Sequence, residues 1–182
     1  KSTGVERPFD SEMGKGVLQQ HLERNNLQAT VFDGYVDNSY RVEYLHSEQP
    51  KVSIIIPSKD KREFLQPCIE SVLNKTTYLN YELIIVDNQT SDLDTLAYYD
   101  EVLRQYPSKV NIISYDAPFN FAAINNLAVG RAKGKYVLFL NNDTEIIQGD
   151  WLSRMMAYGL RDDIGIVGAR LILPTTSKIE HA

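Results

Sequence analysis

The chain is poor in several residue types and patterns, and each shortage excludes something. It has one cysteine, Cys68, in 182 residues. That excludes an internal disulfide framework and any cysteine-based zinc cluster. The three histidines, His21, His46 and His181, are scattered and lack metal-ligand spacing. Long apolar runs are missing. Tyr136–Leu140 is among the longest, far short of the ~20 residues of a membrane-spanning helix. No basic stripe exists either. Lysine and arginine total 19 against 24 acidic residues, a net charge of −5. Both sides of Pro50 are net acidic, so duplex nucleic acid is excluded as a partner. No G-x-G-x-x-G follows the first strand, which argues against a dinucleotide-dependent oxidoreductase. No P-loop and no G-x-S-x-G elbow occur, so the P-loop nucleotidase and α/β-hydrolase readings fail. The N-terminus lacks the charged and apolar regions of a signal peptide, which makes a cytoplasmic, reducing location the default.

What remains is an ordinary globular composition. Hydrophobic residues make up 43% and charged residues 24%, enough apolar material to exclude wholesale disorder. Two regions differ in texture. Residues 1–49 are polar and irregular and read as a small accessory piece. The spacing of Met13, Val17, Leu18 and Leu22 predicts a helix over Glu12–Arg24. Thr30–Phe32 and Tyr40–Leu45 read as two strands, with Tyr40, Val42 and Tyr44 alternating against Arg41 and Glu43. Asp33-Gly34 and Asp37-Asn38 supply turn chemistry between them.

Residues 50–182 read as a second domain in which strands alternate with helices. Val52–Ile56, Tyr81–Val86, Val110–Tyr115, Tyr136–Leu140 and Ile164–Ala169 are the predicted strands. Glu63–Asn74, Leu93–Tyr106, Phe121–Lys133 and Trp151–Leu160 are the predicted helices, with Gly134 as a helix stop. In the second of them Leu96, Tyr99, Leu103 and Tyr106 share a side. Apolar strands alternating with helices imply an α/β fold: a mostly parallel sheet with helices on both faces.

In such sheets ligands bind beyond the C-terminal strand ends. Three of those ends carry a carboxylate in a polar turn. They are Pro57-Ser58-Lys59-Asp60, Asp87-Asn88-Gln89-Thr90-Ser91-Asp92 and Asn141-Asn142-Asp143-Thr144-Glu145. Three acidic tips on one edge repel one another unless a cation or hydrogen-bond donors answer them. A hard, oxygen-liking divalent ion with a phosphate or polyol ligand is the simplest answer. Structural readings stand beside this one. Asp60 has capping-box spacing with Glu63, and Asp92 is placed to cap the helix at Leu93. Asp87 and Asp143 follow apolar runs directly, where a carboxylate needs a partner. Cys68, next to Ile69 on a helix, reads as an inert buried thiol.

Taken in order, "VSIIIPSKD", "CIESVLNKT", "YELIIVDNQTSD" and "NNLAVGRAKGKYVLFLNNDTEI" resemble the nucleotide-sugar-binding half of the family 2 glycosyltransferases, which have the GT-A fold. Within that family the likeness is to bacterial, rhamnosyltransferase-like enzymes that extend O-antigen and other surface polysaccharides. The resemblance spans residues 50–182. It implies transfer of a sugar, with inversion, from a UDP- or dTDP-sugar to a saccharide or lipid-linked acceptor. A peripheral position at the inner face of the cell membrane would follow. It implies that Pro57, Ser58, Asp60, Asp87, Asn88, Asn125, Lys133, Asn141 and Asn142 contact the nucleotide sugar, with Asp87 on the base. Asn141-Asn142-Asp143 stands at the Asp-x-Asp position, and Asp143 would ligate Mn²⁺ or Mg²⁺. Asn at the first position removes one negative charge from that motif. The resemblance also places the catalytic base beyond Ala182, so the chain is expected to hold the donor half only. Two rivals stay open. One is a sugar-nucleotide nucleotidyltransferase, whose glycine-rich first loop is missing here. The other is a module that binds nucleotide sugar and transfers nothing.

Overall fold

A computed structural model describes residues 11–34, 36, 39–173 and 179–181, with backbone alone at 11 and 179–181. The predicted Asp37-Asn38 turn lies outside the described residues. The chain divides into two compact units, one of Lys1–Ser47 with Ser153–Ala182 and one of Glu48–Leu152.

The first unit begins with α1 (Ser11–Arg24), followed by the antiparallel hairpin β1 (Ala29–Asp33) and β2 (Tyr40–Tyr44). Gln19 clamps helix to hairpin. Its amide nitrogen donates to the Ala29 carbonyl at 3.1 Å, and its amide oxygen accepts from Val31 N at 3.3 Å. Of the predicted inner face of α1, Leu22 is buried, while Met13 and Val17 lie in solvent.

The second unit is the α/β core. It runs β3 (Val52–Ser58), α2 (Arg62–Lys75), β4 (Tyr81–Asp87), α3 (Leu93–Gln105), β5 (Val110–Ser114), α4 (Phe121–Val129) and β6 (Tyr136–Phe139). The four strands pair in parallel in the order β5-β4-β3-β6. Helices cover both faces. On one, Ile124 and Ala128 of α4 pack on Ile55, Ile84 and Val86. Strand alternation turns Ile54, Ile56, Leu83 and Ile85 the other way, and all are fully buried. Tyr81 on that face donates its hydroxyl to the Val72 carbonyl of α2 at 3.2 Å. The expected α/β fold with helices on both faces is what the chain adopts.

Several details differ from the sequence reading. β3 runs through Pro57 instead of stopping there. Asn88 N donates to Ser58 O on one flank of β3, and Leu140 N donates to Ile55 O on the other. By alternation the Pro57 nitrogen faces the β6 side, where β6 pairs only as far as Ile55. No ladder bond is lost, so proline is tolerated. The buried stripe of α3 is Thr95, Tyr98, Tyr99 and Val102. Leu96 is turned outward, because Asp92 caps the helix and sets its phase. α4 ends at Val129 with Gly130 as its C-cap, so Gly134 stops nothing. Gly134 is instead a close-approach residue: a Cβ there would sit 2.5 Å from Ser53 N.

α5 (Trp151–Gly159) follows the sheet. Ile164–Ala169 is not a strand. Gly165 and Gly168 interrupt it and Ile166 is 93% exposed, so it has neither the stiffness nor the burial that makes an apolar run a strand. A short antiparallel pair follows, β7 (Leu171–Ile172) with β8 (Ile179–His181). The side chain of His181 lies outside the described residues. Among the described residues, no helix is long and apolar enough to cross a membrane.

Candidate active site at the sheet edge

The parallel strands bring their C-terminal tips to one edge. The register pairs Ser58 with Asp87, and Asp87 with Ser114. From β3 the chain moves outward through β4 and β5, then returns to the other side of β3 as β6. The strand order therefore reverses between β3 and β6. A crevice at such a point is where open α/β sheets bind ligands. The Ser58 tip and the Asn141–Asp143 tip flank that reversal point, and Asn142 Nδ2 lies 3.5 Å from Ser58 Oγ.

The loops are tied together by backbone donors. One carboxylate oxygen of Asp60 accepts from Ser91 N at 2.7 Å and Asp92 N at 2.9 Å. Asp60 N donates to Thr90 Oγ1 at 3.0 Å. Asp60, Lys61 and Gln89 all have left-handed backbone, with φ of 51°, 60° and 62°, a conformation that non-glycine residues adopt rarely and hold only when neighbours fix it. The Asp92 and Ser91 N–H groups hold the Asp60 carboxyl below its ordinary range. Asp60 thus does not cap α2, whose N-cap Lys61 makes no side-chain cap bond. Asp92 does cap α3, accepting from Thr95 Oγ1 at 2.5 Å and Thr95 N at 2.9 Å.

Asp87 is half-buried at the end of β4. Its Oδ1 accepts from Thr90 N at 3.2 Å and from the Tyr99 hydroxyl at 3.5 Å. Tyr99 is buried, and burial pushes its phenol up, opposed by the Thr90 and Ser58 hydroxyls. Asn88 is buried and spends both amide hydrogens on backbone carbonyls, Tyr115 at 3.1 Å and Ala117 at 2.9 Å. It locks the second tip to the loop after β5. Asn141 and Asp143 are exposed. The Asn141 carbonyl accepts weakly from Cys68 Sγ at 3.5 Å. Cys68 is the inert thiol expected, with burial pushing it up to about 12.

The structure thus brings Pro57, Ser58, Asp60, Asp87, Asn88, Asn141, Asn142 and Asp143 to one edge. It does not bring Lys133 there. Lys133 precedes β6, so it lies at the opposite end of the sheet, where its N–H donates to Glu82 Oε1 at 2.7 Å. Asn125 is buried within α4, with Nδ2 on the Phe121 carbonyl at 2.8 Å and Oδ1 without a partner. Sequence reasoning missed Thr90 and Tyr99 as supports of Asp87. Tyr99 had been placed among packing residues, and helical spacing carries no sign that its hydroxyl reaches the sheet edge.

Metal fit follows from the donor set. Among the described residues no group of three or more histidine, cysteine, aspartate or glutamate side chains suits an ion. An all-protein cage is therefore absent from them. The Asp143 carboxylate has no side-chain partner among them and is exposed beside the crevice. One free carboxylate suits a hard divalent ion that takes its remaining ligands from phosphate oxygens and water.

Residues 53–176 match the model of glycosyl transferase family 2. An uncharacterized protein of Sinorhizobium fredii is 38% identical over 97% of this chain and 19% of its own length. The O-antigen biosynthesis protein RfbC of Myxococcus xanthus is 35% identical over 100% of this chain and 14% of its own. The chain therefore spans less than a fifth of these two curated relatives. The mannosyltransferase PcManGT from Pyrobaculum calidifontis, solved with GDP-Man and Mn²⁺, superposes with a TM-score of 0.61 at 15% identity, covering 85% of this chain and 43% of that one. That likeness shows a shared GT-A fold. The chain belongs to glycosyl transferase family 2.

Proposed function

We propose that the sheet edge binds a nucleoside-diphosphate sugar and that the protein transfers its sugar to a growing surface polysaccharide or lipid-linked acceptor at the inner face of the cell membrane. The observation that carries this is the meeting of Ser58 and Asn142 at the reversal point between β3 and β6, with Asp87 paired beside Ser58 on the same sheet edge and Asp143 next along the chain. The name of the Myxococcus xanthus relative, an O-antigen biosynthesis protein, supports the polysaccharide acceptor. Family membership supports transfer over nucleotidyl transfer.

Each residue then has a task. Asp87, steadied by Thr90 N–H and the Tyr99 hydroxyl, accepts from the N–H edge of the base; a uridine or thymidine base offers such a donor. Ser58 and Asn142 line the crevice where ribose and diphosphate lie. Asp60 uses its carboxylate to hold the second loop around its left-handed residue Gln89 and so keeps Asp87 aimed. Asp143 would hold Mn²⁺ or Mg²⁺, which would supply Lewis-acid compensation for the charge of a leaving diphosphate. The acceptor hydroxyl attacks the anomeric carbon from the side opposite the diphosphate. The new C–O bond forms as the sugar–phosphate bond breaks, and the nucleoside diphosphate leaves with the bonding pair. The hydroxyl proton passes to a general base not assigned among the described residues, and the configuration inverts. We assign residues 50–182 to this donor-binding role and residues 1–49 to an accessory one. Lys133 and Asn125 are not assigned contacts with the donor.

Calorimetry tests the reading. UDP or dTDP should bind the chain in Mn²⁺ or Mg²⁺ and lose at least tenfold in affinity in EDTA. Asp143→Ala should show that loss even with metal present. Equal affinity with and without metal removes the role given to Asp143. No binding of any nucleoside diphosphate removes the donor-site reading itself.

A further inference from the structure

The unit of Lys1–Ser47 with Ser153–Ala182 has a pocket of its own, of about 480 Å³, within the range of small-ligand sites. Strand alternation puts Tyr40, Val42 and Tyr44 on one face of the hairpin, and all three line this pocket, as does Tyr158 of α5. Tyr44 and Tyr158 meet edge to face, centroids 5.3 Å apart at 78°. Tyr158 also donates its hydroxyl to the Val42 carbonyl at 2.6 Å. These contacts fix the two rings before any ligand arrives, which lowers the entropy cost of binding.

Among the described residues the charge of the lining is one-sided. Arg41 and Arg170 contribute to it, and no carboxylate is among its described residues, in a chain of net charge −5. Arg41 is engaged with Glu43. Arg170 is exposed, and its guanidinium makes no hydrogen bond or ion pair among the described residues. Arg161 stacks on the Tyr44 ring at 4.3 Å from its centroid, and the Tyr158 hydroxyl donates to Val42. The ring surface these contacts leave uncovered offers apolar area for the C–H side of a pyranose, and the Tyr158 oxygen keeps a lone pair for a sugar hydroxyl. A free guanidinium offers a planar fork for a carboxylate or phosphate. A plain apolar ligand leaves the arginine unused, and a bare anion leaves the rings unused. A ligand with an apolar face and an acid group uses both.

We propose that this pocket binds a saccharide that carries an acid group. The choice of a sugar rests on the sugar-transfer reading above; the location does not. The test is amide and side-chain NMR on the full 182-residue chain. The probes are methyl β-glucuronoside, glucose 1-phosphate, methyl β-glucoside and inorganic phosphate, with UDP and Mn²⁺ titrated separately. At least one acidic sugar should move the Tyr44, Tyr158 and Arg170 signals saturably, and the neutral glucoside should bind about tenfold more weakly. Which acidic sugar binds tells carboxylate from phosphate. Arg170→Gln, an exposed change that leaves the spectrum dispersed, should erase the tenfold preference. Absence of shifts at these residues with every sugar overturns the proposal. So does phosphate that binds as tightly as its sugar ester. A glucoside as tight as the glucuronoside and the phosphate ester overturns the acid-group assignment. UDP shifts around Asp87 and Asp143 are scored apart, so failure of either site leaves the other standing.

Discussion

Glu82 offers the sharpest test of how the sheet holds its site. It lies on β4, paired in register with Ser53 on β3. Its Oε1 accepts from Ser53 Oγ at 2.6 Å and Lys133 N at 2.7 Å, and Ser53 Oγ in turn accepts from Gly134 N at 2.9 Å. Lys51 Nζ stands 3.5 Å from Oε2. This network pins the connection that leads into β6, and β6 leads to Asn141–Asp143. Glu82→Ala strands the buried Ser53 hydroxyl and the partly buried Lys133 N–H. At ~1–3 kcal/mol for each orphaned group, less some relaxation, the loss should be about 3 kcal/mol. For a chain of this size that lowers the melting temperature by roughly 6–12 °C. Glu82→Gln keeps Oε1 as an acceptor and gives up only the charge toward Lys51, so it should cost about 1 kcal/mol. Burial pushes the Glu82 carboxyl up, but the Ser53 hydroxyl, the Lys133 N–H and Lys51 outweigh it and hold it below its ordinary value. A depressed carboxyl stabilises the fold at pH above its unfolded value and loses that contribution as pH falls through the folded one. The gap between wild type and Glu82→Ala should therefore be full at neutral pH and shrink below about pH 4. Urea unfolding at several pH values measures it. An alanine variant within 1 kcal/mol of wild type at pH 7 would refute the reasoning. So would a glutamine variant as damaged as the alanine one, since charge and not acceptor geometry would then carry the effect.

Other outcomes follow from the same contacts. Tyr99→Phe should leave the circular dichroism unchanged and weaken nucleoside-diphosphate binding severalfold, by about 1 kcal/mol, as read by calorimetry. Gly134→Ala should destabilise by ~1–3 kcal/mol, because its Cβ meets Ser53 N and backbone cannot give way cheaply; thermal melts check it. Asp60→Asn should loosen the loop over Gln89–Asp92, seen as faster amide exchange at Ser91 and Asp92. In wild type the same protection should hold at neutral pH and fall away under acid, below the ordinary aspartate range, because the Asp60 carboxyl is held low in the fold.

Much of the core was legible because its signals are local. Short apolar runs bounded by polar turns marked all four parallel strands, and helical spacing marked α2, α3, α4 and α5. Asp92 as a cap and Cys68 as a buried thiol also read correctly, since each depends on near neighbours. The misreadings share one cause. Ile164–Ala169 resembles a strand by composition, but a strand needs a partner and cover, and it has neither. Gly134 looked like a helix stop, yet its smallness serves Ser53 on a distant strand. Lys133, which the resemblance put against the nucleotide sugar, stands at the other end of the sheet, because α4 runs back before β6 begins. Asp60 has the spacing of a cap, while its donors sit about thirty residues away, at Ser91 and Asp92.

The sequence by itself determined the family, the α/β alternation and the chemistry of the three strand tips, because those reside in residue types and short-range spacing. Tertiary structure alone decided that β6 returns beside β3, and so where the crevice opens. It also decided that Tyr99 and Thr90 support Asp87, that Glu82 anchors the way into β6, and that three tyrosines and an exposed arginine share a pocket in the first unit. Each is a meeting of segments distant in the chain, and only the folded chain brings such partners within hydrogen-bond reach.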